Sequence, residues 1–175
     1  MKAAILERPG SPLVIDDLAI AKPGPHEVLI RTRACGLCHS DLHFIEGSYP
    51  HALPCVPGHE IVGRVSAVGT AVKDFKVGDV VGVGCMVGSC QHCAACAEGL
   101  EQYCERGMVG TYNGVGRDGK PTQGGYSDAI VVDENYVLRI PDSIPLDKAA
   151  PLLCAGITTY SPLRHWGAGE GKRVA

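Results

Sequence analysis

Cys90, Cys93 and Cys96 stand at every third position, and Cys104 follows eight residues later. Four thiolates so close in sequence can converge on one tetrahedral ion, and zinc is the usual occupant of an all-cysteine site. The residues between them (QHCAACAEGLEQY) are too poor in apolar side chains to fold as a core of their own. Metal bonds would have to order them, and such sites supply roughly 10–16 kcal/mol in small peptides. A disulfide pair or loose free thiols is the alternative reading of the run. Two further clusters carry reactive side chains: Cys38-His39-Ser40-Asp41-Leu42-His43 and Gly58-His59-Glu60, with Cys154 a third candidate at the head of a late helix. A cysteine, a histidine and a second cysteine from distant segments make a three-ligand zinc site, whose open fourth position is the mark of catalytic zinc. Each residue also has a plainer role. Cys154 could be a small core residue, His59 an ordinary hydrogen-bonded histidine, and His39 and His43 a solvated pair four apart.

The elements that must carry these residues are mostly strands. Lys2–Leu6 and Leu13–Asp17 read as short strands around a Pro9-Gly10-Ser11-Pro12 turn. Glu27–Ala34 alternates apolar and polar positions, the pattern of a half-buried strand. Ser40 is placed to cap a short helix over Ser40–Glu46. Gly58–Gly69 reads as a bent strand, and Asp79–Val83, Tyr126–Asp133 and Tyr136–Ile140 as further strands. Asn113–Gly125 is polar and turn-like. Leu146–Leu153 and Cys154–Trp166 have helical composition, with Pro162 expected to kink or shorten the second. Glycines interrupt several strands where a closing sheet must bend, so a twisted, partly closed β-barrel fits better than a sandwich.

Composition narrows the function classes. The chain has 175 residues, 45% apolar and 20% charged, with net charge −3, 23 glycines and 12 prolines. That length suits one domain with a real core. No basic stripe or charge run is present, so neither nucleic-acid binding nor a polybasic membrane contact is supported. The opening MKAAILERPGSP resembles neither a signal peptide nor a transmembrane segment. Nine cysteines without such a leader indicate a reducing, cytoplasmic setting, and their odd number weakens a complete disulfide framework.

Gly58-His59-Glu60 followed by Gly63, Gly69 and Val72 matches the zinc alcohol dehydrogenase signature at its fixed positions. Together with Cys38-His39-Ser40-Asp41 and the four-cysteine run, it makes the whole chain resemble the N-terminal catalytic domain of zinc-dependent medium-chain alcohol dehydrogenases. LPCVPGHEIVGRV and PLLCAGITTYSPLRHW are most similar to the cinnamyl alcohol dehydrogenase branch, which includes bacterial aldehyde reductases. The resemblance implies a mainly β, GroES-like, partly open barrel with short helices. Residues 1–154 would form the catalytic domain, with a zinc lobe at 85–110, and 155–175 a connecting helix. Cys38, His59 and Cys154 would bind a catalytic zinc and Cys90, Cys93, Cys96 and Cys104 a structural one. Glu60 would be the adjacent carboxylate, Asp41 the acceptor that fixes the His59 ring, and Ser40 and His43 the proton relay. His39 would face the cofactor, and Tyr49 and Cys85 would line the substrate pocket. His92 has no ligand role in the family and is expected to be exposed.

The reaction implied is interconversion of a primary alcohol and an aldehyde with a nicotinamide cofactor, NADP rather than NAD in this branch. The full-length enzyme would be a homodimer or homotetramer. Gly114-Val115-Gly116-Arg117-Asp118-Gly119 has the spacing of a dinucleotide loop, but Lys120-Pro121 follows where a helix should start. Gly171-Lys172-Arg173-Val174-Ala175 resembles the entry to a Rossmann strand, so the cofactor domain is expected to be absent from this chain, which alone should turn over little. The competing readings are a non-catalytic, zinc-stabilised GroES-like binding module and a zinc-free quinone reductase relative. The ligand and relay residues argue against both.

Overall fold

A computed structural model describes residues 1–50 and 52–174; Ala175, the last residue of the expected connecting segment, lies outside them. The strands are β1 (Lys2–Ile5), β2 (Val14–Asp17), β3 (Glu27–Cys35), β4 (Ile61–Val68), β5 (Val80–Val83), β6 (Met86–Gly88), β7 (Val109–Gly110), β8 (Ala129–Asp133) and β9 (Leu138–Arg139). The α-helices are α1 (His39–Glu46), α2 (Ala94–Ala97), α3 (Leu146–Ala149) and α4 (Ala155–His165).

A five-stranded sheet in the order β8-β3-β4-β5-β9 forms the body, and every pairing in it is antiparallel. The β1–β2 ribbon is tied to the rest by bridges from Ala3 to Ser127 and from Leu6 to Cys55. The β6–β7 ribbon forms the base of the cysteine lobe. Two register shifts bend β3 against β4, at Leu29/Ile30 and Thr32/Ala34, and such bulges sharpen the local twist that closes a sheet. Gly63 sits opposite the second, where a Cβ would lie 2.2 Å from the Arg31 carbonyl oxygen. No side chain fits between the strands there. The result is the partly open barrel that the interrupting glycines implied.

The core follows the pleat. On β3, Val28 and Ile30 are wholly buried while Arg31 and Arg33 face solvent. They pack with Ile61, Val65, Val81, Val83, Ile130 and Val132, and each such side chain contributes about 1.5–3 kcal/mol on burial. β4 is buried on both faces: Ile61 joins this core, and Val62 packs on Ala149 and Ala150. His59, two residues before Ile61, is thereby held at the entry to this strand.

Several boundaries differ from the sequence-based expectation. The N-cap of α1 is Cys38, not Ser40: the Cys38 sulfur accepts from the Ser40 N–H, and the Asp41 carboxylate accepts from the Cys38 N–H. β8 starts at Ala129 rather than Tyr126, whose hydroxyl is drawn inward to Asp41. Tyr136 lies in a 3-10 turn capped by Asp133, so the last strand is only Leu138–Arg139. Pro162 lies inside α4 without shortening it; the helix continues to His165. β6 and β7 are too short to leave a periodic signal. No described helix is long and apolar enough to cross a membrane.

Candidate metal centres

The lobe cysteines converge. α2 is a single turn that starts after Cys93 and carries Cys96. The sulfurs of Cys90, Cys93, Cys96 and Cys104 all lie within 4.8 Å of one another. Cys90 to Cys96 is 3.9 Å and Cys93 to Cys96 is 3.4 Å. A zinc–sulfur bond of about 2.3 Å in a tetrahedron sets sulfurs about 3.8 Å apart, so the donor set fits zinc. The cysteines are free thiols, which removes the disulfide reading. Backbone N–H groups of His92 and Cys93 hold the Cys90 thiol below its ordinary range, and the Cys90 N–H does the same for Cys104. His92 is exposed, as expected.

A hydroxyl chain joins this lobe to the barrel. Ser89 is buried, and its oxygen accepts from the Tyr136 hydroxyl at 2.6 Å and from the Gln91 N–H at 3.1 Å. A serine has one proton to give, and the Cys96 sulfur stands 3.2 Å away to receive it. Arg117 reaches the other side of the lobe, donating to the Arg106 and Gly107 carbonyls and to the Cys104 sulfur.

The second centre gathers residues from three places. Cys38 caps α1 where β3 ends, His59 and Glu60 lead into β4, and Cys154 stands at the head of α4. Ligand atoms of Cys38, His59, Glu60 and Cys154 all lie within 4.8 Å of one another, and the two sulfurs are 3.9 Å apart. This spacing also fits a tetrahedral ion. Burial pushes the Cys38 thiol up, but the Ser40 N–H and hydroxyl, with His59, bring it below its ordinary range. Cys154 is pushed up, by burial first and then by Cys85 and Cys38. Glu60 is buried and its carboxyl is raised by desolvation.

Asp41 is 2% exposed and receives His59 Nδ1–H at 3.1 Å, which leaves Nε2 for the Cys38 side of the ring. Burial would raise its carboxyl, yet hydrogen bonds from His59, the Cys38 N–H and Tyr112 hold it below the usual range. Ser40 and His43 lie three residues apart on α1. His43 packs edge-on against His39 at 4.7 Å and Tyr49 at 5.8 Å between ring centroids. The Cys85 thiol hydrogen-bonds with that of Cys154. The structure thus brings Cys38, His59, Glu60 and Cys154 together with Asp41 behind His59, whereas His39, His43 and Tyr49 are joined by ring contacts to one another. Tyr112, Tyr126, Ser89 and Tyr136 were not foreseen; a lone hydroxyl gives no spacing signal. The Gly114–Gly119 run forms a turn closed by the Gly116 N–H on Lys120, with no helix after it.

Residues 24–142 match the family described as Alcohol dehydrogenase GroES-like domain. The chain belongs to that family. This GroES-like domain is 65% identical over 155 residues to NADP-dependent alcohol dehydrogenase C 1 of Mycolicibacterium smegmatis, covering 87% of the chain and 44% of the relative. It is 56% identical over 168 residues to aldehyde reductase YahK of Escherichia coli, covering 93% and 47%. Among solved structures, the cinnamyl alcohol dehydrogenase of Helicobacter pylori complexed with NADP(H) superposes with a TM-score of 0.93 at 44% identity, covering 98% of this chain and 50% of that one. These relatives are the branch that the cinnamyl-type stretches implied. The chain spans about half the length of the curated relatives it matches.

Proposed function

We propose that this GroES-like domain is the catalytic part of a zinc-dependent, NADP-linked alcohol dehydrogenase or aldehyde reductase acting on a small primary alcohol or aldehyde. The observation that carries this is the convergence of Cys38, His59 and Cys154 beside Glu60, with the His59 ring fixed by Asp41. Zinc held there would supply a Lewis acid for the oxygen of the substrate. The protein's own residues do the rest. Cys38, His59 and Cys154 hold the ion, and two thiolates offset its charge. Ser40 takes the hydroxyl proton of the alcohol and passes it to the imidazole of His43, the general base that hands it on to water. A nicotinamide cofactor, faced by His39, would supply the acceptor for the hydride that leaves the alcohol carbon as the aldehyde forms. Aldehyde reduction runs the same steps in reverse. Glu60 is a carboxylate within reach of the ion when other ligands leave. Tyr49 and Cys85 line the substrate side, and His39 faces the nucleotide.

NADP is favoured over NAD because the M. smegmatis relative is named as NADP-dependent and the H. pylori structure holds NADP(H). Residues 1–154 act as the catalytic unit and 155–175 as its connection to a cofactor domain, within a cytoplasmic homodimer or homotetramer.

Metal analysis tests this. The chain should hold about two zinc, and Cys154→Ser about one. A parent with one zinc, lost on Cys96→Ser but not on Cys154→Ser, would indicate the zinc-stabilised binding module instead. A parent with none would end the zinc reading altogether. Mixed with NADPH and an aldehyde, the chain by itself should turn over little, and brisk turnover would refute the need for a cofactor domain.

A further inference from the structure

The Asp41 carboxylate is used to capacity. An ionised carboxylate offers about four acceptor positions. Here Oδ1 accepts the His59 Nδ1–H at 3.1 Å, and Oδ2 accepts the Cys38 N–H at 3.0 Å and the Tyr126 hydroxyl at 2.9 Å. The Tyr112 hydroxyl donates to the same carboxylate. An ionised carboxylate can only accept, so both phenols donate to it.

Neither tyrosine is placed by chance packing. Tyr126 is held to the strand entry of His59 by backbone bonds from the Tyr126 N–H to Pro57 and from the Gly125 N–H to Gly58. Its ring lies on Gly58, where a Cβ would meet it at 2.6 Å; Gly58 also has φ +99°, which suits glycine. Tyr112 arrives from the opposite direction, two residues beyond β7, where the cysteine lobe rejoins the barrel. Its ring lies 5.7 Å from the His59 ring with a 30° tilt, and 5.1 Å from Phe44. The two hydroxyls thus approach one carboxylate from different segments of the chain.

We propose that Tyr112 and Tyr126 are positioning residues for the catalytic metal. They fix the Asp41 carboxylate, which fixes the His59 ring with Nε2 toward Cys38 and Cys154. This rests on the ligand assignment in the proposed function.

The test uses Tyr126→Phe, Tyr112→Phe and the double variant, which keep the rings and remove the hydroxyls. Cobalt affinity at the Cys38–His59–Cys154 cluster is read by its d–d absorption in chelator competition. The four-cysteine site, read alone in a Cys154→Ser background, is the internal control, and the Cys38–His59–Cys154 cluster is read in a Cys96→Ser background. Loss of a residue that supports a ligand weakens metal affinity about 10–100-fold. Each single variant should lose about tenfold and the double more, with the four-cysteine site unchanged. Affinities within about twofold of the parent in all three variants overturn the proposal, as does equal weakening of both sites. NMR of the histidine ring nitrogens in the metal-free parent gives a second measurement, which decides the matter should a variant not fold. A proton on His59 Nδ1 is expected, and an unprotonated Nδ1 overturns the proposal. A parent that binds no cobalt at this cluster refutes the proposed function; a His59 ring-nitrogen spectrum altered in the Tyr112→Phe and Tyr126→Phe variants then still supports the tyrosine assignment, and one identical to the parent overturns it.

Discussion

Asp41 carries two duties that the sequence cannot separate. Its carboxylate caps α1 by accepting the Cys38 N–H and orients His59 by accepting Nδ1–H. The same group therefore sets the position of one ligand and the tautomer of another. Asp41→Asn keeps the size but turns one acceptor oxygen into a donor amide, which must face N–H or O–H groups that already point inward. Stranding a buried donor costs about 1–3 kcal/mol, so a urea melt of the metal-free variant should show a loss of that size. Zinc analysis should show the Cys38–His59–Cys154 site depleted and the four-cysteine site retained. Unchanged stability together with full zinc content would remove Asp41 from both roles. Cys38, His59 and Asp41 were legible in the sequence because they sit in short motifs. Tyr112 and Tyr126 were not, because nothing in their neighbours says which carboxylate they reach.

The elements serve as brackets for these side chains. The β3 end, the α1 cap and the β4 entry bring Cys38 and His59 together, and α4 delivers Cys154 from far along the chain. The lobe has almost no core of its own, so its attachment to the barrel matters. That attachment includes the Tyr136–Ser89–Cys96 hydroxyl chain. Ser89→Ala removes the donor to the Cys96 sulfur and strands the Tyr136 hydroxyl. Zinc release from the four-cysteine site to a chromogenic chelator should quicken by about tenfold, with the second zinc unaffected. An unaltered release rate would reduce Ser89 to packing. The alternating pattern of β3 and the bent β4 were readable from the sequence. The two-residue strand β7 and the 3-10 turn that holds Tyr136 were not, because capping bonds and tertiary partners override pattern at that length.

At the scale of the whole molecule, the barrel is closed partly by loops pinned with polar contacts. Glu134 is one such pin, accepting the Lys73 N–H at 2.9 Å and the Asp74 N–H at 3.2 Å. The Lys73 N–H above all, then that of Asp74 and the His26 ring, hold its carboxyl below the usual range against the push of burial. A carboxyl lowered in the folded state stabilises it fully above the unfolded pKa of about 4.3. That contribution is lost as pH falls through the folded pKa. Glu134→Gln should therefore flatten the fall in stability between about pH 7 and about pH 3 relative to the parent, read by urea melts at each pH. Parallel curves for the two proteins would deny Glu134 this role. The amino-acid sequence by itself determined the ligand types, the cysteine lobe and the β-rich class, because metal chemistry depends on local spacing and strands on period-two burial. Tertiary structure alone decided that Cys38, His59, Glu60 and Cys154 share one centre, with ligand atoms within 4.8 Å. It also decided that two tyrosines and a serine support the centres. Those contacts join segments separated by up to 116 residues, and only the closed sheet, with its bulges and buried β4, brings such distances to hydrogen-bond length.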